Sequence, residues 1–179
     1  MGITADIIRC PPGDVREAVT AVRRGELDGD ALVDVFFLDT YDYTDAINRY
    51  WDRLLYLFSE TRRGLDGITD ESWRDYPETL AWAVAGASGL GIADDNGKEF
   101  RMCSPEQVRS VALALSASPP IRELHAAIPP DQAIEQAEGY WFDQVTGFYL
   151  DQMDLIRVRL GDFFAEAARR EEATVHHYG

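Results

Sequence analysis

The chain has 179 residues, 46% of them hydrophobic and 27% charged, with 32 acidic residues against 17 basic ones and a net charge of −15. Such a charge repels both a phosphate backbone and an anionic lipid surface, which disfavours nucleic acid and membrane as partners, and no apolar run approaches the ~20 residues of a membrane span. A domain near this length buries roughly 70% of the surface its unfolded chain exposes, so residues 1–179 are expected to form one domain that needs no disulfide or metal to fold.

Residues Ile3 to Ile8 are β-prone and run into the breaker Cys10-Pro11-Pro12-Gly13-Asp14, which predicts a first strand. The start lacks a basic stretch followed by an apolar block, so no leader is expected, and Asp6 stands where a myristoylation pattern needs Ser or Thr. Val15, Ala18, Val19 and Val22 then mark one face of a helix, with Asp14 as its expected N-cap and Gly25 as its stop. From Glu26 to Asp45 lies an insertion-like acidic segment. It carries seven acids (Glu26, Asp28, Asp30, Asp34, Asp39, Asp42, Asp45) and no base. Its apolar block, ALVDVFFLD, suits a strand or a short helix, and periodicity does not separate the two.

The stretch NRYWDRLLYLFSE, Asn48 to Glu60, is clearer. On a helical wheel of about 100° per residue, Ile47, Trp51, Leu54, Leu55 and Phe58 share one face, with Tyr50 and Leu57 at its edge. This predicts a largely buried helix with Arg49, Asp52, Arg53 and Tyr56 facing out. Gly64 to Tyr76 reads as a loop, and Pro77 opens a short helix that ends at Gly86. Asn96-Gly97 sits between two β-compatible arms and predicts a type I′ hairpin, in which both central residues need positive φ.

Ser104-Pro105-Glu106-Gln107 is a capping box with Pro at the first helical position, followed by the stripe Val108, Val111, Ala112, Leu115. Ile121–Ile128 and Pro130–Glu138 suit short helices, and Gly139 to Asp143 a link. The longest periodic run is Val145 to Ala168, with Val145, Phe148, Tyr149, Gln152, Leu155, Ile156, Leu160, Phe163 and Ala167 assigned to one side. The alternating ATVHHY, Ala173 to Tyr178, suits a last strand. Strands at both ends, a hairpin between them and no regular βαβ alternation predict an α+β fold. Its expected form is a small, mostly antiparallel sheet packed against several helices.

The residues that could do chemistry are few. His176 and His177 are adjacent on a strand and so face opposite sides; the expectation is one towards helices and one towards solvent. With Tyr178 they form the candidate pocket of an enzyme, against the alternative that they are half-buried aromatics of a terminal strand. Asp28, Asp30 and Asp34 fail the EF-hand pattern, because Leu32 and Val33 occupy the fifth and sixth loop positions. Asp94 to Glu99 is explained by its hairpin. Ser88 in GASGLG lacks the last Gly of GxSxG, and the segment reads as a helix stop and turn. Cys10 and Cys103 lie far apart without CxxC spacing and read as reduced, partly buried thiols of a cytoplasmic protein. Cys103 precedes a helix N-terminus, but no His neighbours it in sequence, so a buried thiol is preferred to a nucleophile. No Walker loop or HExxH occurs, and neither cofactor nor metal is expected.

Several stretches in order resemble a known family. They are MGITADIIRCPPGDV, YWDRLLYLFS, AVAGASGLG leading to FRMCSPEQVRSVALAL, then EGYWFD and FFAEAARREEATVHHY. Together they are similar to the YfbM-like bacterial proteins, domain of unknown function 1877. The resemblance spans nearly the whole chain and implies a compact α+β domain with no established activity. Members often carry His around the Trp helix, where this chain has Asp52 and Leu55, so no histidine site is carried over.

The functional expectation is a protein that binds another protein without catalysis. The partner would be basic, and binding immunity-like, through Asp34, Asp39, Tyr41, Asp42, Tyr43 and Asp45. Phe36 and Phe37 are either further anchors or core plugs. The competing reading is a small hydrolase using the pocket at His176, His177 and Tyr178.

Overall fold

Ile7 and Ile8 are neighbours in strand β1 (Ala5–Cys10), point to opposite faces and are both fully buried, because helices cover the sheet on both sides. The computed structural model describes residues 5–37, 42–44, 50–59, 78–129 and 147–178. After β1 come α1 (Pro12–Arg23), α2 (Gly29–Phe37), β2 (Asp42–Thr44), α3 (Trp51–Phe58), α4 (Trp82–Ala85), β3 (Ser88–Ala93), β4 (Glu99–Cys103), α5 (Pro105–Ala117), α6 (Ile121–Ala126), α7 (Gly147–Arg169) and β5 (Ala173–Tyr178). The strands form one antiparallel sheet in the order β2-β1-β5-β4-β3, with the C-terminal strand at its centre.

The two-residue period of each strand sorts the core into two layers. Ile8, Cys10, Phe100, Ala173 and Val175 pack with Val15 and Ala18 of α1 and Leu32 and Phe36 of α2. Ile7 and Cys103 pack on the other side with α3 to α7, through Leu54, Leu55, Val84, Val111, Leu115, Ile121, Leu160 and Phe164. Each large side chain so buried contributes about 1.5–3 kcal/mol. No helix among the described residues is long and apolar enough to cross a membrane.

Helix ends follow local chemistry. In α5 the capping box is complete: Gln107 N–H donates to Ser104 Oγ, and Ser104 N–H donates to the Gln107 side chain. Helix α1 starts earlier than expected. Pro11 is its N-cap and Pro12 its first residue, so Asp14 falls inside the first turn. It closes as a Schellman motif, with Gly25 at φ 72° and Glu26 N–H donating to Ala21 O.

The ambiguous block ALVDVFFLD resolves largely into helix α2, because Asp28 Oδ1 accepts from Ala31 N–H at 2.7 Å and caps the first turn. In α3, Tyr56 is buried rather than outward: every side chain from Leu54 to Ser59 is buried, since the helix is packed on nearly all sides. The helix before Gly86 has four residues and begins at Trp82, while Gly86 at φ 71° ends it as expected. Ser88 onward is strand β3, so only the first part of GASGLG is a stop and turn.

The hairpin turn is not type I′, since only Gly97, at φ 76°, has positive φ. Gly97 N–H donates to Asp94 O and Asp94 N–H to Lys98 O, a type I turn followed by a left-handed glycine. In α7 the buried stripe is Leu150, Met153, Ile156, Leu160, Phe164 and Ala167, and Phe148 and Leu155 are exposed. The expected stripe was rotated at its N-terminal half because apolar residues there occur on several faces. The expected loop 64–76, the helix 130–138 and the link 139–143 lie outside the described residues.

Candidate functional site

Strand β5 lies between β1 and β4, so its polar side chains are enclosed by the whole fold. Its register with β4 pairs His176 with Arg101 and Thr174 with Cys103. These four side chains share one face of the sheet, beneath α4, and are all buried. A four-residue helix leaves its carbonyls short of partners, and this cluster supplies donors. His176 Nδ1–H donates to Val84 O at 2.9 Å, Arg101 Nε to Ala85 O at 2.9 Å, and the Cys103 thiol approaches Trp82 O at 3.7 Å.

With its proton on Nδ1, His176 accepts the Thr174 hydroxyl at Nε2, 2.9 Å away, and Cys103 Sγ lies 4.0 Å from the same nitrogen. A Cys–His pair invites a nucleophilic reading, but the electrostatics oppose it. Burial pushes the Cys103 thiol up to about 11, although the Thr174 hydroxyl, if turned to the sulfur instead of to His176, the Ala87 backbone and the Arg101 charge all favour the thiolate. Burial also drives His176 down to about 4; the bond to Val84 opposes this shift and the Arg101 charge adds to it. Both groups are neutral near pH 7 and fully enclosed, whereas a thiol nucleophile needs the thiolate and access to substrate. Cys10 is likewise enclosed, with its thiol pushed to about 12 by burial and then by Asp14 and Glu172.

His177 turns to the opposite face, as adjacent strand residues must. It does not meet solvent there, because α2 covers that face as well. Its Nε2 donates to Asp94 Oδ2 at 3.2 Å, and its ring stacks on Phe100 at 4.6 Å and tilts against Phe37 at 5.9 Å. Burial alone would raise the Asp94 carboxyl. Hydrogen bonds from Lys98 N–H, His177 and Asn96 N–H outweigh it and hold the group below the usual carboxylate range. The pair therefore ties the hairpin turn to the central strand. Both side chains are enclosed, at 6% and 5% exposure. His176 and His177 are thus not brought into one site, and the side chain of Tyr178 lies outside the described residues.

Of the acidic segment, Glu26, Asp28, Asp30 and Asp34 are exposed. Two have structural roles: Asp28 caps α2, and Asp30 Oδ1 accepts from Asp95 N–H at 2.9 Å, joining α2 to the hairpin. Asp30 also raises the Asp95 carboxyl by its charge, followed by burial and the charge of Asp28. Phe36 is core and Phe37 packs on His177, so neither is a free anchor. Asp42 and Tyr43 lie in edge strand β2, paired with Arg9 and Ile8. Asp39, Tyr41 and Asp45 lie outside the described residues. Among the described residues no group of three or more His, Cys, Asp or Glu could hold a metal ion.

Sequence reasoning passed over Arg101 and Thr174, and it assigned Asp94 to the hairpin without its bond to His177. The signal for the first two was the β4–β5 register, which aligns FRMC with the alternation of ATVHHY but requires knowing that the last strand pairs with the hairpin. The chain is similar in fold to YfbM, a protein of unknown function from Escherichia coli known from a crystal structure. The TM-score is 0.69, the identity 13%, and the match covers 98% of this chain and 99% of that one. No curated protein matches the chain in sequence. The model of DUF1877, a domain of unknown function, matches residues 10–177, and the chain belongs to that family.

Proposed function

We propose that this protein acts by binding a positively charged protein, and that Glu26 to Asp45, with the adjoining hairpin turn, is the binding face. The observation that carries the reading is the crowding of Asp28, Asp30 and Asp95, where α2 meets the β3–β4 turn. Asp95 is exposed and its proton affinity is raised by Asp30. Among the described residues none of Asp28, Asp30, Asp34 and Asp95 enters an ion pair. A basic partner would relieve that repulsion and be steered towards it. The free thiols, buried on opposite faces of the sheet, fit a reducing compartment and support action in the cytoplasm.

A small hydrolase is the second reading, and the His177–Asp94 hydrogen bond favours it. Against it, both side chains are enclosed and no nucleophile adjoins them among the described residues. The test is an affinity capture from the source cell, repeated with Asp34→Lys, Asp39→Lys and Asp45→Lys combined. The expected result is a basic protein held by the wild type and released by the variant, with the melting temperature little changed. Identical partners on both forms would overturn the reading.

A further inference from the structure

Arg101 is the one arginine buried among the described residues, at 3% exposure, and it is poorly paired. Its Nε donates to Ala85 O, but the carboxylate facing it, Glu99 Oε2, stands 3.7 Å from Nη1, and Nη2 is buried with no partner among the described residues. The more exposed Arg122, Arg157 and Arg169 each hold a carboxylate at 2.6–2.8 Å. Withdrawing a cation from water while leaving a donor orphaned is costly, and such an orphan calls for a missing partner.

The surroundings suit one. Opposite Arg101 on β3 is Gly89, and a Cβ at that position would overlap the Glu99 carboxylate. Glu99 therefore rests its head group in the space a side chain would fill, and it is 44% exposed, so this side opens to solvent. At the other end, a Cβ on Gly86 would lie 2.9 Å from Arg101 Cβ, so glycine there lets the end of α4 descend and hold the guanidinium by its Nε.

We propose that Gly89, Glu99 and Arg101 form a binding place for the carboxylate of a small acidic ligand, in which the Glu99 carboxylate is a loosely held occupant that the ligand displaces. A carboxylate matches the place because its two oxygens fit the Nη1–Nη2 fork side by side and its single charge balances one guanidinium. A phosphate would add charge where Arg101 is the one cation among the described residues and would set a tetrahedral group against the flat backbone of Gly89. The place lies on the sheet face opposite α2 and is independent of the acidic surface.

The test follows the Arg101 Nε–H signal by NMR in the full chain, identified by its loss in Arg101→Lys, while acetate replaces chloride at constant ionic strength. The expected result is a saturable shift that occurs at about tenfold lower acetate in Glu99→Gln, where the occupant has lost its charge, a difference of about 1.4 kcal/mol. Glu99→Gln adds no bulk, so it keeps the test sound even if Gly89→Ala, which should abolish the shift, disturbs the edge strand. No saturable shift in either wild type or Glu99→Gln overturns the proposal, as does equal affinity in the two. Inorganic phosphate serves as the second probe, and a response to phosphate without one to acetate overturns the carboxylate assignment.

Discussion

Trp51 opens α3 and is 7% exposed, packed in the larger core layer. Replacing it with Ala should cost roughly 3–5 kcal/mol, the range for a large buried aromatic, and a denaturant melt measures the loss directly. An unchanged midpoint would contradict the packing. His176 makes a second prediction, through pH. Its folded value is lowered from 6.5 to about 4, so above pH 6.5 it is neutral in both states and its bonds to Val84 and Thr174 are retained. As pH falls from 6.5 towards 4, the unfolded chain takes up a proton that the folded chain refuses, and stability is lost across that window. The full loss is about 3 kcal/mol. Asp94 pulls in the same direction at lower pH, because its folded carboxyl is also held down. In His176→Gln, stability measured between pH 6.5 and 4 should therefore fall less steeply than in wild type. Parallel slopes would show that the imidazole is not the group being titrated.

At the level of elements, Ser104→Ala removes one half of the capping box of α5 and should cost about 1 kcal/mol in an unfolding titration. The far end of α7 offers the opposite change. Glu171 closes it at φ 57°, with Glu172 N–H donating to Ala167 O in the same motif that Gly25 completes in α1. Glu171→Gly removes the left-handed strain of a residue with a Cβ and should stabilise by about 0.5–1 kcal/mol. A lower melting temperature would contradict it.

Elements whose cause is local were readable in the sequence. The breaker Pro11-Pro12-Gly13, the box at Ser104 and the glycines at 25, 86 and 97 each set an end within a few residues. The turn type at Asn96 was not, because the type I turn with a left-handed Gly97 is selected by the Asp94 carboxylate, which accepts from both Asn96 and Lys98. Nor was the cluster at Arg101, Cys103, Thr174 and His176. It exists only because the last strand inserts between the first strand and the hairpin, pairings between segments far apart in sequence that no local pattern announces. The outward placement of Tyr56 failed for a similar reason, since a wheel gives the period of a helix but not how many neighbours surround it.

The whole molecule combines a sheet covered on both faces with a charge of −15. The enclosed layers hold Cys10, Cys103 and His176 neutral and the His177–Asp94 pair hydrogen-bonded, whereas the proposed partner-binding face lies on the surface. The exposed acids at α2 and the hairpin turn repel one another at some cost to folding, so raising salt should stabilise the isolated protein modestly while weakening the proposed complex with a basic protein. The direct measurement is the association rate constant of the purified protein with the basic protein that the proposed capture is expected to yield, taken from low to high ionic strength. Exposed charges are screened over about 8 Å at physiological salt. The account predicts a rate that falls steeply with salt, and a wild-type advantage over the Asp34, Asp39 and Asp45 charge-reversal variant of about tenfold at low salt that vanishes at high salt. A rate independent of salt, and equal in the two proteins, would contradict it.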